Sequence, residues 1–154
     1  MLNRLYRYQL KKSIKQLKCC GKKLVIFGAG QELIHPENIT IGEDVRLNSN
    51  VIINATESQI DIGNRVTISS NAMILAASYD PKSFLLNYES VRKHCFSKII
   101  IGNDVWICAG AIVLPNVEIA DHVIVGAGSV VNKSIKESHV VVAGNPAKIV
   151  KKYD

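Results

Sequence analysis

The sequence predicts an all-β fold, a parallel β-helix built from six-residue repeats. Aliphatic residues return at every sixth position from Ile101 to Val131, and a small or β-branched residue follows four positions after each. An α-helix repeats every 3.6 residues and a two-sided strand every second residue, so neither explains this spacing. A short fixed repeat is typical of a solenoid, whose units bury their apolar faces only against their neighbours. Three such hexads would form one triangular coil.

The same phase occurs earlier in the chain, in two sets separated by a short insertion near residues 57–59. Aromatic residues make up only 6% of the sequence, as expected of a core too narrow for rings. The length of 154 residues suits one domain with a sizeable core. The predicted inward positions are all Ile, Leu or Val: Ile41, Leu47, Ile53, Ile62, Ile68, Ile74, Ile101, Ile107, Val113, Ile119, Val125 and Val131.

Residues 1–23 are predicted to form an amphipathic basic helix that ends near Gly21, because apolar residues from Leu2 to Leu17 follow helical spacing. This segment holds eight basic residues and no acidic one, whereas the whole chain has a net charge of +6. The remainder is therefore slightly acidic, and no nucleic-acid partner is expected. Two interpretations stay open. The helix packs on the solenoid with its charged face in water, or it rests on an anionic membrane.

The β-helix domain is predicted over residues 24–150, with the first coil under way by Ile39 and a tail at 151–154. Residues 80–98 break the six-residue phase and form an excursion loop. Binding and catalysis concentrate in such loops because the coils are committed to stacking. The repeat ends at Glu137, whose charge could not face inward. The loop carries aromatic, basic and sulfur-containing side chains: Phe84, Tyr88, Arg92, Lys93, His94 and Cys95.

Cysteine and histidine usage indicates a cytoplasmic protein without a metal site. The cysteines (Cys19, Cys20, Cys95 and Cys108) lack zinc-ligand spacing, and a disulfide framework is not expected in so regular a core. No signal peptide or transmembrane run is visible. We therefore predict free thiols in the cytoplasm, at the inner face of the membrane if the basic helix binds there. The histidines also lack the spacing of a metal centre.

Residues 39–152 resemble the hexapeptide-repeat acyltransferases, and within them the maltose, galactoside and polysaccharide O-acetyltransferases. The resemblance rests on Ile-Gly-Asn-Asp-Val-Trp-Ile at 101–107, Val-Gly-Ala-Gly-Ser-Val-Val at 125–131 and Ala-Gly-Asn-Pro-Ala-Lys at 143–148. It implies a left-handed parallel β-helix, an exception to the usual right-handed crossover. It also implies a homotrimer, acetyl-CoA as co-substrate and a saccharide acceptor.

The resemblance further implies where acetyl-CoA lies. Small residues let the pantetheine arm approach the backbone, and cations match the pyrophosphate and 3′-phosphate. The implied cofactor-binding residues are Ala109, Gly110, Ala127, Gly128, Asn132, Lys133, Lys148 and Lys151.

The resemblance places a catalytic histidine at the start of the loop, where this chain has Tyr79. A tyrosine with an ordinary pKa of about 10 is a poor base at neutral pH. His94 lies within the loop and is the candidate replacement, while Tyr79 is expected to line the acceptor pocket. Three functions stay open: O-acetylation of a saccharide with His94 as base, N-acetylation of an amino sugar without a histidine base, and a non-catalytic relative that binds CoA or serves as a scaffold.

Overall fold

The computed structural model describes residues 2–86 and 93–153, which form a parallel β-helix of five complete coils and a partial sixth. This confirms the predicted solenoid. Each coil contributes one strand to each of three sheets, A, B and C. Sheet A contains β1 (Cys19–Cys20), β4 (Ile39–Ile41), β7 (Gln59–Ile62), β12 (Lys98–Ile101) and β15 (Glu118–Ile119). Sheet B contains β2 (Leu24–Ile26), β5 (Val45–Leu47), β8 (Thr67–Ile68), β13 (Trp106–Ile107), β16 (Val123–Val125), β18 (Val140–Ala143) and the antiparallel β19 (Lys148–Lys152). Sheet C contains β3 (Glu32–Ile34), β6 (Ile52–Asn54), β9 (Met73–Leu75), β14 (Ile112–Val113) and β17 (Val130–Val131).

The remaining elements lie outside these sheets. They are α1 (Leu2–Lys15), a 3₁₀ turn (Pro36–Asn38), the short helix α2 (Pro81–Leu86) and a two-stranded ladder of β10 (Ser78–Tyr79) and β11 (His94–Cys95). Within the described residues no helix is long and apolar enough to cross a membrane.

The core consists of the predicted inward positions, and every one of the twelve is buried, with at most 3% of its surface exposed. The residue four positions later is also buried after nine of the twelve, the exceptions being Glu57, Ser78 and Ile135. Ile41 is followed by Val45 and Ile68 by Ala72, both fully buried. These smaller side chains fill the interior beside the corners of the triangle, which explains the two-part hexad pattern.

After nine of the twelve inward residues, the corner is turned by a residue in the left-handed conformation three positions later. Asn50 has φ 57°, Asn71 φ 62° and Gly110 φ 67°. Glycine and asparagine adopt this region at low cost, so these corners suit their sequence. Arg65 and His122 occupy equivalent corners with φ 55° and 58°, where a larger side chain adds strain.

The first coil begins at Cys19, ahead of the predicted domain start at residue 24, and it is complete before Ile39, the residue by which the sequence predicts a first coil to be under way. Cys20, Ile26 and Leu33 pair with the inward residues of the second coil at Ile41, Leu47 and Ile53. Their spacing is six and then seven residues, and the first of them is not aliphatic. The six-residue phase is therefore broken in this coil.

Both ends of the domain differ from the predicted boundaries. Helix α1 ends at Lys15 instead of near Gly21, and it packs on the first coil with Leu10 only 9% exposed. At the other end, β19 continues to Lys152, past the predicted boundary at 150. It turns back antiparallel to β18 after the segment 144–147.

Candidate functional site

The excursion loop leaves the solenoid after the third coil and returns at the start of the fourth. Ala76 lies where the loop leaves the solenoid, and Ser97 lies where it returns. The Ser97 hydroxyl donates to the carbonyl oxygen of Ala76, and the hydroxyl of Ser58, in the third coil, donates to the same oxygen at 3.2 Å. Both serines are at most 3% exposed. Because one carbonyl receives both hydroxyls, the exit and the re-entry of the loop are fixed to each other.

A backbone clasp holds the mouth of the loop. The Asp80 amide donates to the Lys93 carbonyl at 2.9 Å, and the buried Ser83 hydroxyl donates to the Asp80 carbonyl at 2.8 Å. This clasp aligns the β10–β11 ladder that precedes it. The predicted loop residues Tyr88 and Arg92 lie outside the described residues, and nothing is described of the Phe84 side chain.

The ladder places the two candidate catalytic residues directly opposite each other. Tyr79 pairs with His94, and their ring centroids are 4.3 Å apart. Tyr79 is 44% exposed, so it lies at the surface and not in the coil interior. His94 Nδ1 is buried and has no hydrogen-bond partner among the described residues. A buried polar atom without a partner is costly, and such an atom in a loop mouth calls for an explanation.

A second cluster lies at the corner that leads into sheet C. Gly110 and Gly128 both have positive φ, and the Gly128 amide donates to the Ala109 carbonyl at 2.9 Å. A Cβ added to Gly128 would meet nothing within 4 Å, and one added to Gly110 would approach only the Gly128 amide, at 4.0 Å. Together with the exposed Ala109 and Ala127, these glycines form a strip of backbone open to a ligand.

The last partial coil continues this strip into a basic recess. The buried Ser129 hydroxyl accepts from the Gly144 amide at 3.1 Å, and the Ala147 amide donates to the Val130 carbonyl at 2.8 Å. The chain therefore closes over the corner beside Gly128. It delivers Lys148 to a recess of about 510 Å³ that Lys133 also lines.

Not every predicted phosphate ligand lines that recess. Lys136 lines it and was not predicted. Asn132 is exposed outside its lining, and the Lys151 Nζ lies over the Tyr153 ring, 4.5 Å from its centroid. The structure thus brings Lys133 and Lys148 together but directs Lys151 elsewhere.

Sheet C separates the glycine strip from the Tyr79–His94 pair within one chain. The glycine strip lies at the corner before the strands of sheet C, and the excursion loop begins at the corner after β9. The outward positions of sheet C form an apolar column in register, each member half-buried: Ile52, Met73, Ile112 and Val130. The two candidate clusters therefore flank an apolar face that the rest of the described chain does not cover.

An ion pair links the coils on either side of the loop. Lys98 Nζ lies 2.9 Å from Asp61 Oδ2, and Gln59 also donates to this carboxylate. Burial alone would raise the pKa of Asp61, but the hydrogen bonds from Gln59 and Lys98 outweigh it, so the pKa lies below its usual value. Burial raises the pKa of the Cys108 thiol, which is therefore protonated at neutral pH.

Sequence reasoning missed the serines that shape the site. Ser58, Ser83 and Ser97 hold the loop, and nothing in their local sequence distinguishes them from surface serines. Ser129 had a signal, because it lies inside the repeat motif at 125–131. Its role is structural, because its hydroxyl accepts the hydrogen bond from the Gly144 amide that holds the segment 144–147 in place.

The other histidines lie away from these clusters. His35 takes a left-handed conformation immediately before the 3₁₀ turn. His122 and His139 are exposed, and their rings stack at 4.5 Å. Within residues 2–86 and 93–153 no three His, Cys, Asp or Glu side chains lie together as a metal site would require.

Comparison with known proteins gives matches along most of the chain. Residues 98–133 match the family described as bacterial transferase hexapeptide (six repeats). The chain is 36% identical over 140 residues to a putative lipopolysaccharide biosynthesis O-acetyl transferase, WbbJ, of Escherichia coli, covering 87% of this chain and 67% of that protein. The chain spans only 54% to 56% of the length of three further curated relatives. One of them is the galactoside O-acetyltransferase of Escherichia coli, which is 32% identical to this chain over 74% of this chain's length.

Solved structures match the whole described fold. A maltose O-acetyltransferase from Clostridium difficile superposes with a TM-score of 0.81 at 30% identity, covering 97% of this chain and 76% of that one. A hexapeptide-repeat acetyltransferase from Vibrio cholerae in complex with acetyl coenzyme A gives 0.78 at 25% identity, covering 99% and 79%. AntD, an N-acyltransferase from Bacillus cereus in complex with dTDP and 3-hydroxybutyryl-CoA, gives 0.71 at 25% identity, covering 96% and 88%.

Proposed function

Because this chain belongs to the bacterial hexapeptide transferases, the acyltransferases built from six-residue repeats, we propose that it transfers an acetyl group from acetyl-CoA to a hydroxyl of a saccharide. The similar proteins named as O-acetyltransferases support this reaction. The observation that carries it in this chain is His94 Nδ1, a buried imidazole nitrogen without a partner among the described residues, at the mouth of the excursion loop.

In this proposal His94 is the general base. Acetyl-CoA supplies an activated acyl carbon. His94 Nδ1 removes the proton from the acceptor hydroxyl as its oxygen forms a bond to that carbon. His94 then returns the proton to the sulfur when the carbon–sulfur bond breaks, so the protein ends unchanged. A positioned base of this kind contributes about 10²- to 10⁴-fold in rate. The exposed Tyr79 ring, packed against His94, would orient the imidazole and offer a face to a sugar ring.

We place the co-substrate along the glycine strip and the basic recess. Gly110 and Gly128 leave room for the pantetheine arm to lie against the backbone, and Lys133 and Lys148 share a recess suited to phosphate oxygens. Lys136 joins this set. Asn132 and Lys151 remain predictions that depend on contacts the described chain does not make by itself.

We propose that three copies assemble, since the two clusters of one chain are separated by the apolar column of sheet C. A neighbouring copy packed on Ile52, Met73, Ile112 and Val130 would cover that column and bring its own loop or strip beside the first. A cytoplasmic location goes with this proposal, and all four cysteines being free thiols supports it.

The test compares His94→Ala with His139→Ala, a matched control because His139 is an exposed histidine outside the loop. Acetyl transfer to a panel of saccharides should fall about 10²- to 10⁴-fold in His94→Ala and stay unchanged in the control. Acetyl-CoA affinity, measured by calorimetry, should be the same in both. Full activity of His94→Ala would remove this histidine from the mechanism.

A second function, N-acetylation of an amino sugar, is favoured by the similarity to AntD and by Tyr79 at the position where the resemblance places the base. An amine that binds unprotonated needs positioning more than a base. With an amino-sugar acceptor, His94→Ala would then retain activity, and the rate would rise with pH as the amine loses its proton. Binding of acetyl-CoA with no transfer to either acceptor class, and weak O-acetylation gained by Tyr79→His, would identify a non-catalytic relative.

A further inference from the structure

The first coil and α1 form a strongly basic end of the solenoid. Residues 1–31 contain eight basic residues and no acidic one. All eight are exposed, and none forms an ion pair with another described residue. This end therefore has a net charge of +8, whereas the remainder of the chain, with 11 basic and 13 acidic residues, is slightly acidic. The basic residues are Arg4, Arg7, Lys11, Lys12, Lys15, Lys18, Lys22 and Lys23.

Helix α1 is held on the first coil by one face only. Gln31 is 2% exposed, and its side-chain amide donates to the carbonyls of Phe27 at 2.8 Å and Asn48 at 2.9 Å. The Tyr6 hydroxyl bonds the Gln31 side-chain oxygen and accepts from the Gln31 amide at 3.0 Å. Leu10 completes this contact from the same face of α1. Helix α1 therefore packs on the solenoid through this face, and the question of what meets its opposite face stays open.

That opposite face carries apolar side chains among the cations. Leu5 is 60% exposed and Tyr8 is 68% exposed, and the two are three positions apart on the helix. Large apolar groups this open to water are informative when they cluster within one charged surface. The combination is typical of helices that lie in the interface of a lipid bilayer.

A groove beside α1 has the same mixed character. It has a volume of about 600 Å³, and Leu10, Ile14 and Ile26 contribute its apolar lining. Arg7 and Lys11, one helical turn apart, also line it and are exposed. An amphiphile with a hydrocarbon chain and an anionic head group fits this arrangement, because the chain meets the apolar wall and the head group meets the two cations.

We propose that this end of the protein docks on an anionic lipid bilayer. The cations contact lipid phosphates, Leu5 and Tyr8 enter the boundary between head groups and acyl chains, and the groove takes one lipid chain. A nucleic acid would satisfy the charges but would leave these apolar side chains in water. The inference is independent of acetyl transfer, since none of these residues belongs to the proposed acetyl-transfer site.

Co-sedimentation of the full chain with vesicles tests the charge. Wild-type protein should bind vesicles of phosphatidylcholine plus phosphatidylglycerol, should not bind phosphatidylcholine alone, and should dissociate as salt increases. Arg7→Glu/Lys11→Glu should weaken binding at least about tenfold, because each cation near an anionic surface contributes a factor of several. Arg46→Glu/Lys82→Glu makes the same change in net charge at exposed positions elsewhere and should bind like wild type.

A second variant tests the apolar contribution at constant charge. Leu5→Ser/Tyr8→Ser should also bind vesicles less tightly, while circular dichroism and the melting temperature show that the solenoid is intact. Two results together would overturn the proposal in favour of a general polyanion site. The wild type would bind double-stranded DNA as tightly as it binds the anionic vesicles, and Leu5→Ser/Tyr8→Ser would leave vesicle binding unchanged. Absence of vesicle binding by the wild type, or equal binding by Arg7→Glu/Lys11→Glu, would overturn it outright.

Discussion

Gly128 offers the sharpest test of where acetyl-CoA lies, because the structure separates the effect of a side chain on the protein from its effect on a ligand. In Gly128→Ala the new methyl group would meet no protein atom within 4 Å, so no steric clash is expected. The remaining cost is conformational. Gly128 has φ 66°, where an L-residue is disfavoured by about 1 to 2 kcal/mol. A chain of this size should then melt about 2 to 8 °C lower.

The same methyl group would stand in the proposed path of the pantetheine arm. Inserting a methyl group into a close contact costs about 1 to 3 kcal/mol, which corresponds to about 5- to 150-fold weaker binding. Calorimetric titration with acetyl-CoA measures this directly, and a thermal melt of the same sample reports the strain. Gly128→Ala should therefore lose affinity by more than its small loss of stability explains.

Asn116→Ala is the matched control. Asn116 is exposed and also turns a corner in the left-handed conformation, with φ 62°. It lies at the corner after the strands of sheet C, whereas Gly128 lies at the corner before them. Asn116→Ala should lower the melting temperature slightly, because asparagine tolerates this region better than alanine, and should leave acetyl-CoA affinity unchanged. If Gly128→Ala melts lower but binds acetyl-CoA as tightly as wild type, the ligand does not pass over the glycine strip.

Three further predictions concern the core, the recess and the loop base. Ile119→Asp should abolish folding, since a carboxylate would replace a side chain that is 1% exposed; circular dichroism should show a folded Glu118→Ala control. Lys148→Ala should weaken CoA binding in calorimetry and reduce its salt dependence, and unchanged affinity would remove Lys148 from the site. Asp61→Asn should lose about 1 kcal/mol or less at neutral pH, because Lys98 is partly exposed. The pKa of Asp61 is lowered, so its contribution is present above about pH 4 and is lost as pH falls through the folded-state value. In a plot of melting temperature against pH, the fall on the acidic side should therefore be less steep for Asp61→Asn than for the wild type.

The repeat itself could be predicted from sequence because burial inside a narrow coil restricts the choice of residue. A position such as Ile107 or Val125 admits only an aliphatic side chain, and the restriction recurs at a fixed interval. The first coil lacked this signal. Its inward residues Cys20, Ile26 and Leu33 are unevenly spaced, and Cys20 is exposed at the end of the solenoid, where burial no longer selects the residue type.

The candidate site could be predicted only where it follows the repeat. Lys133 follows the repeat motif at 125–131 by two residues and Lys148 ends the motif at 143–148, and the structure brings them into one recess. Lys151 carries the same charge three residues later, but β19 directs it toward Tyr153. Charge alone does not report the register of a strand, so sequence could not distinguish these lysines.

The pairing of Tyr79 with His94 lies beyond any periodic signal, because the two residues come from opposite sides of an aperiodic loop. Residues directly opposite in an antiparallel ladder have Cβ atoms about 5 Å apart. A base at position 94 therefore acts from a point displaced by about that distance from a base at position 79. Proton transfer needs the acceptor hydroxyl within about 3 Å of the base, so the acceptor must bind in a correspondingly shifted position. Beside the acceptor, the Tyr79 ring would then fill the space that a base at position 79 would otherwise occupy. If His94 is the base, this chain should accordingly prefer acceptors different from those that suit a base at position 79, even where acetyl-CoA is bound in the same way.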